Sequence, residues 1–259
     1  MLQFDANITF LYRELPLVER FAAARADGFG AVEILSPEGV PIDQLASAAA
    51  AAGVEVALCN APMGDFLDGG PGLSAVPGRE AEFRRALEQA RQMAVALSCH
   101  TVHLGPSRVP AGADRAHCLD VLAENLAFAA RALAGDGITA TIEPMNTTDY
   151  PDICLRTVAD AHAVLANVDE SNTALQFDIY HMAQMEDDVH ESIAASIRSI
   201  GHFQFADVPG RHEPGSGTLD FAVLFRLIED LGYKGFIGAE YLPSAATSAS
   251  LAWLGRFRP

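Results

Sequence analysis

Four oxygen-bearing side chains stand at one kind of place in this 259-residue chain. Glu143 follows the apolar run 138–142, Asp178 ends 174–178, Gln204 lies within 202–207 and Glu240 ends 236–240. Their spacings are 35, 26 and 36 residues. A buried strand has no reason of its own to end in an acid, because an unpaired carboxylate in apolar surroundings is costly. Two glutamates, one aspartate and one amide, delivered by four successive strands, make a hard site that suits Mg²⁺ or Mn²⁺ rather than a thiol-seeking metal. A divalent cation also answers the repulsion among three crowded carboxylates. Any one of these acids could cap a helix or close a strand without function; the recurrence carries the weight.

Further candidates surround this series. His181, three residues after Asp178, reads as a donor to substrate or as a group that orients a ligand. Arg211 lies in the glycine- and proline-rich loop 209–217, and a guanidinium fork there would grip the carboxylate of an anionic substrate. Asp149 either bonds a substrate hydroxyl or ends a turn before Pro151. Glu33, Asn60 and His103 also fall at expected strand ends, where the ordinary reading is structural; Asn60 is retained as a candidate substrate contact. The acidic stretch 186–188 reads as a solvated helix start, since acids favour that terminus.

The elements that must position these residues follow from the pattern of apolar runs. Strands are expected within 4–10, which alternates and then turns with Asn7 near the strand's end, and over 31–35, 54–59, 101–104, 139–143, 174–178, 202–207 and 236–240. Helices are expected over 15–26, 42–52, 79–97, 116–133, 158–166, 189–199, 221–231 and 247–256, several stopped by glycine. The long loop 63–78, with five glycines and two prolines, reads as a polar, unstructured lid. Apolar strands alternating with helices indicate a parallel sheet covered on its outer face. Eight such units of about 32 residues over this length predict a single-domain (β/α)8 TIM barrel spanning 1–259, whose strand ends converge on one mouth. A doubly wound open sheet is disfavoured, because no glycine-rich phosphate loop follows the first strand.

Composition narrows the class. Half the residues are hydrophobic, enough for a sizeable core. The net charge of −17 and the lack of any Lys/Arg run exclude nucleic acid as a natural partner. No apolar run is long enough for a membrane span, and the first residues lack the pattern of a signal peptide, so a cytoplasmic protein is expected. Four scattered cysteines without a CxxC pair predict plain thiols.

The runs IEPMN (142–146), FDIYHM (177–182), GHFQFADVPGRHEPGSG (201–217) and GAEY (238–241), with the opening FDANITFLY and AVPGREAEF (75–83), resemble the hydroxypyruvate isomerase family of the xylose-isomerase-like TIM barrels. The likeness covers essentially the whole chain. It implies that Glu143, Asp178, Gln204 and Glu240 hold a metal, that Glu143 and Glu240 form an acid/base pair, and that His181 and Arg211 contact substrate. Wider-group sugar epimerases carry a histidine where Gln204 stands. The implied reaction interconverts hydroxypyruvate and tartronate semialdehyde through an enediolate. The alternatives are isomerisation or epimerisation of another short sugar or oxo-acid, such as a 2-oxo-tetronate, and a barrel that binds sugar without turnover. A metal-dependent apurinic endonuclease shares Asp-x-x-His but expects a histidine-rich site. Homo-oligomers are also expected, with exposed alanine-rich helices such as 41–52 as candidate surfaces.

Overall fold

A computed structural model describes residues 2–186 and 188–257. Among them, eight strands form one closed barrel: β1 (Gln3–Asn7), β2 (Ala31–Ile34), β3 (Glu55–Asn60), β4 (Thr101–His103), β5 (Thr139–Ile142), β6 (Thr173–Asp178), β7 (Ile200–Phe205) and β8 (Phe236–Ala239). Every pairing is parallel, and β8 closes onto β1 with Phe4 opposite Ile237. The strands are buried along nearly their whole length, as a parallel sheet sheathed by helices requires.

The helices are α1 (Leu17–Ala26), α2 (Ile42–Ala52), α3 (Glu80–Ala96), α4 (Arg115–Ala134), α5 (Val158–Ala166), α6 (Ile179–Met182), α7 (Val189–Ser196), α8 (Phe221–Asp230) and α9 (Leu254–Phe257). Local chemistry fixes several of their ends. A capping box between Thr157 and Asp160 starts α5, and Gly53, at φ 64°, ends α2. Helix α8 buries Phe221, Leu224, Phe225 and Ile228, one face at helical spacing. There Phe205, from the outer face of β7, packs edge-on against Phe225 at 5.2 Å and Trp253 at 5.1 Å.

The structure departs from the expected boundaries where local chemistry overrides the apolar pattern. Strand β5 stops at Ile142, leaving Glu143 as the first residue beyond it; Pro144 has no N–H with which to extend the ladder. Strand β1 does end at Asn7 in the expected turn, since Phe10 and Leu11 donate back to the Asn7 carbonyl. Helix α7 stops at Ser196. The tail begins as a 3₁₀ turn over Thr247–Trp253 before α9. The short α6, directly after Asp178, was not expected. The loop 63–78 is neither polar nor unstructured. It contains a 3₁₀ turn, Phe66–Asp68, and buries Phe66, Leu73, Ala75 and Val76. Asp65 ties the loop down by accepting from Gly72 N–H and the Arg79 guanidinium. Of the acidic stretch 186–188, Asp187 lies outside the described residues. Asp188 caps α7, and Glu186 accepts from Val158 N–H, an inter-element contact rather than free solvation.

Candidate active site

Parallel strands aim their C-terminal ends at one mouth, and Glu143, Asp178, Gln204 and Glu240 all arrive there. In register, Asp178 pairs with Gln204 and Gln204 with Gly238. Above them lies a cavity of about 350 Å³, with Glu143, Gln176, His181, Arg211, Glu240 and Asn60 on its polar side. Phe10, Leu35, Met63, Phe66 and Met145 form its apolar wall.

Glu143 is buried, and its Oε1 has no hydrogen-bond partner. Its Oε2 accepts from Gln176 Nε2 at 3.3 Å. Burial, then the nearby charges of Glu240 and Asp178, push its carboxyl well above the usual range. Asp178 uses Oδ1 to cap α6, accepting from Tyr180 N–H at 2.9 Å, while Oδ2 lies 3.5 Å from His181 Nε2. Burial raises it to about 6. Glu240 Oε1 accepts from Asn7 Nδ2 at 3.0 Å and Gln204 Nε2 at 3.3 Å. Burial raises Glu240 to about 8 against the opposing charge of Arg211.

Arg211 comes from the loop after β7. Asp207 organises that loop by accepting from the N–H groups of Val208, Gly215, Gly217 and Leu219. The Arg211 backbone is left-handed, at φ 57°. Its guanidinium is held between Phe10 and Tyr180, 4.9 and 5.1 Å from their ring centres. NH2 donates to Glu240 Oε2 and, at 3.4 Å, to Asp178 Oδ2. The arginine thus bridges two of the acids, while its Nε is buried without a partner.

His181 is fully buried. Its Nδ1 faces two donors, Asn146 Nδ2 at 2.7 Å and Asn146 N–H at 3.4 Å, which places the ring proton on Nε2. Nε2 has no partner and lies 3.9 Å from Glu143 Oε1. Burial, reinforced by Arg211, holds the imidazole well below its ordinary pKa, so it is neutral. Asp149 sits behind this histidine and is itself exposed. It accepts from Asn146 Nδ2 at 2.9 Å and from the Tyr180 hydroxyl at 2.8 Å. Its place is therefore in a chain that sets the His181 tautomer, one layer away from the cavity. His103, lowered to about 3 by burial, lies 3.7 Å from Glu143 Oε2.

Buried polar groups in folded proteins are normally satisfied, so clustered exceptions mark where a ligand belongs. Glu143 Oε1, His181 Nε2, Arg211 Nε, Asn60 Oδ1 and His103 Nδ1 are all unpartnered, and all five residues line this cavity. The carboxylates suit a divalent cation: oxygens of Glu143 and Asp178 lie within 4.8 Å of one another, with His181 beside them as a neutral donor. Gln204 stands lower, its Oε1 accepting from Gln176 Nε2 at 2.7 Å, and Gln176 is the amide that faces the cavity. Sequence reasoning missed Gln176, Asn146, Tyr180 and Asn7. Gln176 carried a usable signal, since it stands two residues before Asp178 and therefore shares its face of the strand.

Comparison with known proteins agrees with this fold. The family model described as xylose isomerase-like TIM barrel matches residues 21–257. The 2-oxo-tetronate isomerase of Cupriavidus necator is 44% identical over 254 residues, covering 98% of each chain. The hydroxypyruvate isomerase of Escherichia coli is 36% identical and covers 100% of both chains. A solved structure described as AP endonuclease, family 2, from Brucella melitensis is 37% identical, with a TM-score of 0.95 and 100% coverage of each chain. The chain belongs to the xylose isomerase-like TIM-barrel family. It is an enzyme, an isomerase resembling hydroxypyruvate isomerase.

Proposed function

We propose that this chain, acting as one domain, moves the carbonyl of a short 2-oxo acid to the neighbouring hydroxyl-bearing carbon, with hydroxypyruvate and tartronate semialdehyde as the first pair to test. The observation that carries this reading is the set of unpartnered buried atoms on Glu143, His181 and Arg211 around one cavity, with Glu240 on the adjoining wall.

Glu143, Asp178, Gln204 and Glu240 would hold a divalent ion, Mg²⁺ or Mn²⁺ by the hardness of their oxygens. Such an ion, when bound, supplies Lewis-acid stabilisation of an enediolate. The chain's own residues do the rest. One glutamate of the Glu143/Glu240 pair takes the proton from the hydroxyl-bearing carbon, and the other delivers a proton to the former carbonyl carbon. The hydroxyl proton passes to the former carbonyl oxygen as the C=O shifts. Neutral His181 donates Nε2–H to a substrate oxygen. Arg211 Nε holds the substrate carboxylate, and Asn60 Oδ1 accepts from a substrate hydroxyl. The apolar wall excludes water from the transfer. The four cysteines are free and buried, in keeping with a cytoplasmic site of action.

A second substrate has its own support. The Cupriavidus necator relative is named for a four-carbon acid, and at about 30 Å³ per water a cavity of about 350 Å³ admits either chain length. A nuclease reading, raised by the Brucella melitensis description, is opposed by the net charge of −17, with no Lys/Arg run to offset it.

The test is carbonyl transfer on hydroxypyruvate, 2-oxo-tetronate and neutral ketoses, after stripping with EDTA and reloading with Mg²⁺, Mn²⁺, Co²⁺ or Zn²⁺. Conversion of an oxo-acid only after reloading is expected. Equal turnover with and without metal would overturn the metal role. Turnover on ketoses alone would overturn the substrate class.

A further inference from the structure

Below the acids that face the cavity, the barrel interior is polar rather than aliphatic. Glu33 on β2, His202 and Gln204 on β7, Asn7 on β1 and Gln176 on β6 are all buried. Strands β2 and β7 are not neighbours in the barrel, so contacts between them cross its interior. Glu33 Oε1 lies 2.5 Å from His202 Nε2. Its Oε2 accepts from Gln204 Nε2 at 2.7 Å and from Asn7 Nδ2 at 2.9 Å.

The same two amide nitrogens make the contacts to Glu240 Oε1 described above, at 3.0 Å from Asn7 and 3.3 Å from Gln204. Two buried carboxylates are therefore held apart by two shared NH₂ groups. An ionised carboxylate accepts only, so Glu33 also dictates the orientation of the Gln204 amide: nitrogen toward Glu33, oxygen toward Gln176. Gln176 completes the chain by donating to both Gln204 Oε1 and Glu143 Oε2, its own oxygen fixed by the Thr141 hydroxyl at 3.2 Å.

Backbone geometry reserves the space for this carboxylate. A Cβ at position 238 would fall 1.7 Å from Glu33 Oε1, so Gly238, two residues before Glu240, is required for Glu33 to stand where it does. Burial alone would raise the Glu33 pKa; the charge and hydrogen bond of His202 hold it below the usual carboxylate range. Asp5, Glu33 and His202 have spacing compatible with a cation, yet both Glu33 oxygens are already engaged by His202, Asn7 and Gln204.

We propose that Glu33 is a positioning residue. Through the shared amides of Asn7 and Gln204 it fixes Glu240 Oε1 and the orientation of Gln204, and so sets the geometry in which the acids of β5, β6 and β8 take up a divalent cation. This rests on the reading of Glu143, Asp178 and Glu240 as the metal-holding and proton-transferring acids. Glu33→Gln keeps the volume but presents an amide that can bond the two NH₂ groups with only one oxygen.

The test is Mn²⁺ titration by isothermal calorimetry on wild type, Glu33→Gln, Asn7→Leu, the double variant and Asp178→Asn, with circular dichroism to verify folding. Glu33→Gln is expected to weaken Mn²⁺ binding by about 10–100-fold and to lower kcat with little change in KM. Asn7→Leu should weaken binding several-fold alone and by clearly less on top of Glu33→Gln, because Glu33 orients the Asn7 amide that bonds Glu240. A folded Glu33→Gln with wild-type Mn²⁺ affinity, or losses that add in the double variant, would overturn the proposal. If Glu33→Gln does not fold, wild-type affinity in Asn7→Leu overturns it instead. Wild-type protein that binds no Mn²⁺, or Asp178→Asn that binds it equally well, would sink the reading of the acids themselves, and the role of Glu33 with it.

Discussion

The two halves of the barrel treat their polar side chains differently. Strands β5 to β8 deliver Glu143, Asp178, Gln204 and Glu240 toward the mouth, where Glu143 Oε1 is unpartnered and Arg211 bridges the outer oxygens of Asp178 and Glu240. Strands β1 to β4 deliver Asn7, Glu33, Asn60 and His103. Of these, Asn7 and Glu33 are satisfied by other side chains, while Asn60 and His103 each keep one open atom at the cavity. One half does chemistry and the other mainly holds it in place. The distinction is energetic: an acid left open in a buried cavity is stabilised only by a ligand, whereas one enclosed by donors is stable as it stands.

Substitutions can break or sharpen that division. Arg211→Ala removes a charged donor and should raise KM for a carboxylated substrate by about 10–100-fold, from a charge-assisted bond worth about 1.5–3 kcal/mol. KM for a neutral ketose should change far less, and equal effects on both would remove the anchoring role. Titration is the next lever. Protons compete with metal for carboxylates, and folded Asp178 and Glu240 hold theirs up to about 6 and about 8. Mn²⁺ affinity should therefore rise as pH increases through that window and level off above it. Affinity that is flat from pH 6 to 8, by calorimetry, would contradict the assignment of these two acids as ligands. From the supporting half, Asn60→Ala removes one neutral acceptor and should raise KM only a few-fold, with kcat nearly unchanged. A collapse of kcat in that variant would erase the division.

The barrel was legible because eight apolar runs alternate with amphipathic segments, and because an oxygen-bearing side chain, three acids and one amide, recurs on the last four strands. The candidate ligands were legible for the same reason; the three acids gather at one mouth, while Gln204 stands beneath them behind Gln176. Less of their surroundings could be read. Glu33 meets His202 and Gln204 across the barrel interior, a contact set by closure of the sheet and invisible to any local pattern. Asp149 was expected as a substrate contact, yet its carboxylate is taken by Asn146 and Tyr180; the α6 turn that carries Tyr180 left no distinct signal of its own. Arg211 was expected to reach over the mouth and does, but the acids it bridges could be named only once the loop ordered by Asp207 was in view. Loop 63–78 misled through its glycines and prolines, although Phe66, Leu73 and Val76 were there to anchor it.

Proton transfer between two glutamates can be decided by running the reaction in D₂O, with Mg²⁺ present, and reading the product by NMR for wild type, Glu143→Gln and Glu240→Gln. Deuterium at the product carbon in wild type, with turnover reduced by about 10²–10⁴-fold in either variant, is the expected result. Near-wild-type turnover in both variants, with only the substrate's own hydrogen in the product, would contradict it and point to a hydride shift instead.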